Sequence, residues 1–161
     1  MPTHAEKRIM PYSAEQMYAL IADVGSYPEF LPWCSAARVR KRRPLPDGEG
    51  EVVDADLVVS FKLFRERFGS RVTLRPEART IDVEYLEGPF RYLNNHWEFS
   101  PRGENHCEVD FFVDFEFRSG MLQRLIGVVF NEAMQRIVRA FERRAAELYG
   151  TRGDRTEQVK A

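Results

Sequence analysis

A chain of 161 residues, 43% of them hydrophobic, with a formal charge of −1, has room for one packed domain and too little for two. The balanced charge excludes a global field that would draw the chain to nucleic acid or membrane, and DNA is not an expected partner. Residues 1–8 are polar with no apolar stretch behind them, and nothing approaches the ~20 apolar residues of a membrane-spanning helix, so a cytoplasmic chain is expected.

Residues 3–11 suggest a short first strand. Ser13 and Gln16 have the spacing of a capping box, and Met17, Leu20 and Ile21 share a helical face. A short helix is expected there, stopping near residues 23–25. The next stretch, SYPEFLPWC (26–34), is apolar yet holds Pro28 and Pro32. One helical turn fits residues 29–31 with Pro28 at its first position, where a missing N–H costs nothing. Pro32 then turns the chain out. The prolines hold Phe30, Leu31 and Trp33 as an apolar edge outside regular structure.

From residue 35 to 117 the period is two. A strand over 35–43 carries Arg38, Arg40, Lys41, Arg42 and Arg43. After the turn at 44–50, Val53, Ala55, Leu57, Val59, Phe61 and Leu63 alternate with Asp54, Asp56, Ser60 and Lys62, which read as a wet face. Phe68, Val72 and Leu74 then oppose Arg65, Arg67, Arg71 and Arg75. Ile81, Val83 and Tyr85 follow, then Leu93, Trp97 and Phe99. The clearest strand sets Cys107, Val109, Phe111, Val113, Phe115 and Phe117 against Glu108, Asp110, Asp114 and Glu116.

After Ser119, a plausible N-cap, the period becomes helical up to a C-terminal Gly150. Residues 151–161 are polar and expected to be disordered, leaving a single domain over 1–150. Consecutive strands with short turns pair antiparallel, and only the last helix is long and apolar enough to cover their shared face. The fold class is therefore α+β: six or seven curved antiparallel strands around a long C-terminal helix. A helix about 10 Å wide cannot fill such a sheet, so either a solid aromatic core or a pocket for an apolar molecule occupies the rest.

Catalytic signals are absent from the sequence. His4, His96 and His106 form no metal-ligand spacing, and no nucleophile motif, P-loop or dinucleotide fingerprint occurs. Cys34 and Cys107 belong to no C-x-x-C pair and read as reduced thiols that pack as small hydrophobes. The expectation is a non-enzyme without metal or cofactor. The arginine stripes offer contacts to phosphate of RNA or lipid headgroups, or simply a solvated face.

Four segments, YPEFLPWC (27–34), VSFKLFRERFGSRVTL (59–74), EGPFRYLNNHWEF (87–99) and FEFRSGMLQRLIGVVF (115–130), occur in this order. Together they resemble the coenzyme Q-binding START-domain family, also called polyketide cyclase-like, which includes the ribosome association toxin. Leu63 departs from the glycine common there. The resemblance implies a helix-grip fold with an internal cavity. Its ligand would be a polyisoprenoid quinone such as ubiquinone, or a related lipid, chaperoned for quinone synthesis or for delivery to respiratory enzymes. The expected lining is Phe30, Leu31, Trp33, Phe61, Phe68, Tyr85, Phe90, Leu93, Trp97, Phe111, Phe115, Leu122, Leu125, Ile126, Val129, Phe130 and Met134. Trp97, Tyr85, Tyr92 or Asn95 would meet the quinone head. Arg38 to Arg43 would touch headgroups at the inner membrane surface. A ribosome-binding toxin that blocks subunit association is the rival reading, and a polyketide cyclase a weaker one.

Overall fold

The computed structural model describes residues 3–61 and 64–150, the side chains of Phe61 and Phe64 excepted. The Phe61 side chain, Lys62, Leu63 and the 151–161 tail, for which expectations were stated above, lie outside the described residues. The order is β1 (Thr3–Met10), α1 (Ala14–Ala22), a 3₁₀ turn (Val24–Glu29), β2 (Cys34–Pro44), β3 (Glu51–Phe61), β4 (Phe64–Arg75), β5 (Thr80–Glu87), β6 (Phe90–Pro101), β7 (Cys107–Phe117) and α2 (Gly120–Tyr149). The seven strands form one curved antiparallel sheet in the order β1-β7-β6-β5-β4-β3-β2, with α2 across its concave face.

Local chemistry sets the element ends. The Ser13 hydroxyl accepts from Gln16 N at 3.1 Å, and the Gln16 side chain returns the bond to Ser13 N, so the expected capping box starts α1. Ser119 caps α2 by accepting from Leu122 N at 3.2 Å. The helical turn expected at residues 29–31 instead spans Val24–Glu29, with Pro28 inside it. Two contacts pull it upstream: Ser26 N–H donates to Asp23 O at 3.1 Å, and the Tyr27 hydroxyl donates to Ile21 O at 2.5 Å.

The core has two parts. One lies under α1 and the end of α2 and holds Met17, Ile21, Trp97, Phe99, Phe141 and Ala145. The other is phenylalanine-rich, built from Phe68, Phe90, Phe115, Phe117, Phe130 and Met134. Strand parity therefore points the expected residues inward.

The convex face corrects one expectation. Asp54 and Asp56 are not wet: they are buried to 9% and 8% exposure beneath arginines from both neighbouring strands. Arg71 forks onto Asp54 at 2.9 and 3.2 Å, and Arg43 approaches it at 3.7 Å. Arg40 and Arg67 meet Asp56 at 3.2 and 3.1 Å. Arg40 reaches from β2 across β3 toward β4, its Nη2 lying 3.4 Å from where a Cβ at Gly69 would sit. The Arg71 bonds hold the Asp54 carboxyl below the usual carboxylate range.

Candidate functional site: two apolar cavities under the long helix

Two larger spaces lie between α2 and the sheet, beside a third of about 40 Å³ near Met17 and Phe141. The outer one, about 400 Å³, lies between the first half of α2 and the ends of β3 and β7. Trp33, Val59, Phe117, Leu122, Leu125, Ile126, Val129 and Ala133 form its walls, with Glu132 and Arg136 as its polar residues. Those two pair with each other at 3.1 Å and are both exposed, which places them at the rim. The inner space, about 180 Å³, lies deeper over the sheet and is bordered by Tyr27, Leu57, Phe68, Ser70, Val83, Leu93, Asn95, Trp97, Phe111, Met134 and Ile137, among others. Ala133 and Met134, neighbours on α2, face the outer and inner space respectively.

The expected lining divides accordingly. Trp33, Leu122, Leu125, Ile126 and Val129 reach the outer cavity; Phe68, Leu93, Trp97, Phe111 and Met134 reach the inner one. The remaining described residues border neither. Phe30 stacks edge-on against Phe141 at 5.4 Å with Arg144 over its ring, and Leu31 packs beside it, so both seal the core. Phe90 lies on Phe117 at 4.8 Å and meets Phe68, Tyr85 and Phe115 edge-on, filling the end of the sheet with rings. Phe130 is spent on Phe115. Periodicity gives a side chain's face but not its depth, and these residues fill volume where a void was expected.

Trp33 enters the cavity through an unusual backbone. Its φ is +65°, left-handed for a non-glycine residue, and its carbonyl accepts from Ser60 N at 2.8 Å. This single reversal, just after Pro32, feeds the chain into β2 and turns the indole to the cavity.

The polar hydrogens of the inner space are largely consumed. Tyr27 donates to Ile21 O, Ser70 Oγ to Ala55 O at 3.2 Å, and Trp97 Nε1 to Asn95 Oδ1 at 2.9 Å. Asn95 Nδ2 spends one hydrogen on Phe112 O at 2.8 Å and finds no second acceptor among the described residues. The Tyr85 hydroxyl accepts from Phe90 N at 3.1 Å. Tyr92, expected at a ligand head, instead interacts with Asp114 on the convex side. Glu132 and Arg136, both exposed, were not among the expected lining residues; at about 100° per residue they lie roughly 60° and 20° to one side of Val129, close enough to reach the rim.

Neither thiol is poised to react. Burial pushes both Cys34 and Cys107 up to about 11. His96 bonds Asp82 at 2.5 Å on the convex face, away from Cys34. Among the described residues no cluster of metal ligands occurs and no helix is long and apolar enough to cross a membrane. Of the basic run, Arg40 and Arg43 clamp the buried aspartates and Arg42 pairs with Glu51, while Arg38 and Lys41 stay exposed on the edge strand β2.

Residues 10–142 match the family described as polyketide cyclase / dehydrase and lipid transport. The chain belongs to that family. It is similar to the "Ribosome association toxin RatA" of Rickettsia prowazekii, 37% identical over 88% of this chain and 94% of that protein. It is also similar to "Coenzyme Q-binding protein COQ10 homolog B, mitochondrial" of Xenopus laevis, 35% identical over 91% of this chain and 59% of that one. Among solved structures, an 18 kDa protein of Caulobacter crescentus superposes with a TM-score of 0.76 at 37% identity, covering 94% of this chain and all of that one. A START superfamily protein of Mycobacterium smegmatis shares the fold at 19% identity, with a TM-score of 0.72 over 91% of this chain and 98% of that one. The helix-grip, START-like architecture expected from the sequence is the one present.

Proposed function

We propose that this member of the polyketide cyclase / lipid transport family binds a long apolar molecule, a polyisoprenoid quinone such as ubiquinone, and acts as its chaperone. The observation that carries this reading is the outer cavity: about 400 Å³, walled by hydrocarbon and ending in one ion pair. Each buried CH₂ contributes about 0.8 kcal/mol, so a few isoprene units supply micromolar affinity after the costs of binding. Arg136 at the rim and the spare Asn95 hydrogen inside are the donors a quinone carbonyl could use. The buried Cys107 and half-buried Cys34, both pushed up to about 11, support a binding role over catalysis. Protein purified from a quinone-producing host, extracted with organic solvent and examined by mass spectrometry, should release a quinone. An empty protein that takes up no fluorescent quinone overturns the reading.

A second reading has its own support. Relatives named as ribosome association toxins match this chain at 35–38% identity, and its convex face carries the arginines of β2 and β4. Binding to the large ribosomal subunit would use Arg38, Lys41 and Arg65, which are exposed and outside the ion pairs among the described residues. Co-sedimentation with large subunits at low salt, lost when these three are reversed in charge, supports this role; no co-sedimentation at low salt discards it.

A further inference from the structure

The first three turns of α2 break the pattern of the rest of the helix. From residue 120 to 131 the only charged side chain is Arg124, and the first turn holds no acidic residue. This is unusual, because a helix N-terminus favours carboxylates. Met121, Leu125 and Val128 are spaced i, i+4, i+7 and form a stripe on the side turned away from the sheet. Their exposures are 76%, 38% and 84%, where Val128 contributes nothing to the core. Leu125 also lines the outer cavity, so the stripe runs over the lip of that opening.

We infer that this stripe is a membrane-docking face that seats the cavity mouth on a bilayer containing anionic lipid. The inference rests in part on the cavity being a lipid site. Charge separates a bilayer from a protein partner as the occupant. Arg65, at the start of β4, Arg118, just before α2, and Arg124 all belong to the mouth end of the molecule. None of them joins an ion pair among the described residues. The acids nearby are mostly engaged: Glu116 by Arg91 at 3.0 Å and Glu132 by Arg136 at 3.1 Å; Glu66 makes no ion pair among the described residues. An apolar stripe about 10 Å long, rimmed by guanidinium groups outside the ion pairs among the described residues, of which Arg118 donates Nε to Phe90 O at 2.9 Å and keeps its outer nitrogens for an anion, is what an interfacial helix presents to headgroups and acyl chains. The cations would hold phosphate while Met121 and Val128 enter the acyl boundary, and the lip at Leu125 would then open into hydrocarbon. A ligand could pass without crossing water.

Flotation with vesicles of phosphatidylcholine, with and without phosphatidylglycerol, tests this. The wild-type chain should float with the anionic vesicles. Met121→Glu/Val128→Glu should partition about tenfold more weakly or worse, since each change removes one insertable side chain and adds a like charge. Arg65→Gln/Arg124→Gln should lose the preference for phosphatidylglycerol. Neither Met121 nor Val128 borders a cavity, so a cavity lipid recovered by mass spectrometry should be the same in wild type and variant. No flotation of the wild type at low salt, or equal flotation of wild type and Met121→Glu/Val128→Glu, overturns the inference. So does a wild-type dimer in sedimentation equilibrium that the variant abolishes, because the stripe would then belong to a second copy. Flotation without any extractable lipid would leave docking standing and count against the cavity reading alone.

Discussion

The amide of Ser60 holds the carbonyl of Trp33 at 2.8 Å, and Trp33 keeps a φ of +65° in that grip. A left-handed non-glycine residue costs about 1 kcal/mol or more, so the bond and the packing of the indole have to compensate. Trp33→Ala and Trp33→Gly should both weaken uptake of a fluorescent apolar probe about tenfold, because both remove a cavity wall. Glycine relieves the backbone, so Trp33→Gly should be more stable than Trp33→Ala by about 1 kcal/mol in urea unfolding. The reverse order would show that the conformation is not strained.

Asp54 makes acid sensitivity predictable. Its folded pKa lies below the unfolded one, chiefly through the bond from Arg71. Between those two values the unfolded chain binds more protons, so stability rises with pH there. The contribution is complete above the ordinary carboxylate range and disappears as pH falls through the folded pKa. Asp54→Asn should flatten the acid limb of the stability profile. An unchanged limb would assign it to other carboxylates.

Gly88 should tolerate no side chain. Its φ is +139°, and a Cβ there would sit 2.5 Å from Phe68 Cβ. Gly88→Ala should cost on the order of 3 kcal/mol from clash and conformation together, read as a lower midpoint in thermal unfolding. A change under about 0.5 kcal/mol would mean that β4 and the 88–89 turn can part freely.

Phe141 joins the core to the proline loop. Its ring meets Tyr27 at 5.7 Å, Phe30 at 5.4 Å and Trp97 at 5.5 Å. Phe141→Ala should cost about 3–5 kcal/mol. Val129→Ala, on the wall of an existing void, should cost far less because few contacts are lost. Equal losses would argue against a cavity beside Val129.

Alkylation by iodoacetamide should be slow at neutral pH, rising with an apparent pKa of about 11 for Cys34. Fast labelling at neutral pH would reveal an activated thiolate.

Much of this molecule was legible in its sequence. The alternation in 107–117 predicts β7, and Ser13, Gln16 and Ser119 predict the two helix starts, because both signals are local. Asp54 and Asp56 were misread for the opposite reason. Their burial depends on arginines from β2 and β4, and a one-strand pattern carries no record of its neighbours. The site was half legible. Trp33 and Leu122 border a cavity, while Phe30 and Phe90 carried the same apolar signal and fill space instead, since neither a proline loop nor strand parity records whether a side chain borders a void or closes it. Gly88 shows how a motif can be physical: the glycine of EGPF is where β4 passes too close for a Cβ.

The spent hydrogens around the inner cavity imply a filter that works by omission. Tyr27, Ser70 and Trp97 each satisfy their own polar hydrogen inside the protein. A guest with a hydroxyl midway along its chain would surrender its water and find almost nothing in return, a penalty of about 1–3 kcal/mol per group. Under the proposed function the chamber would sort molecules by what they lack: plain hydrocarbon would enter at the least penalty, and an oxygen would be tolerated beside the second Asn95 Nδ2 hydrogen or at the mouth.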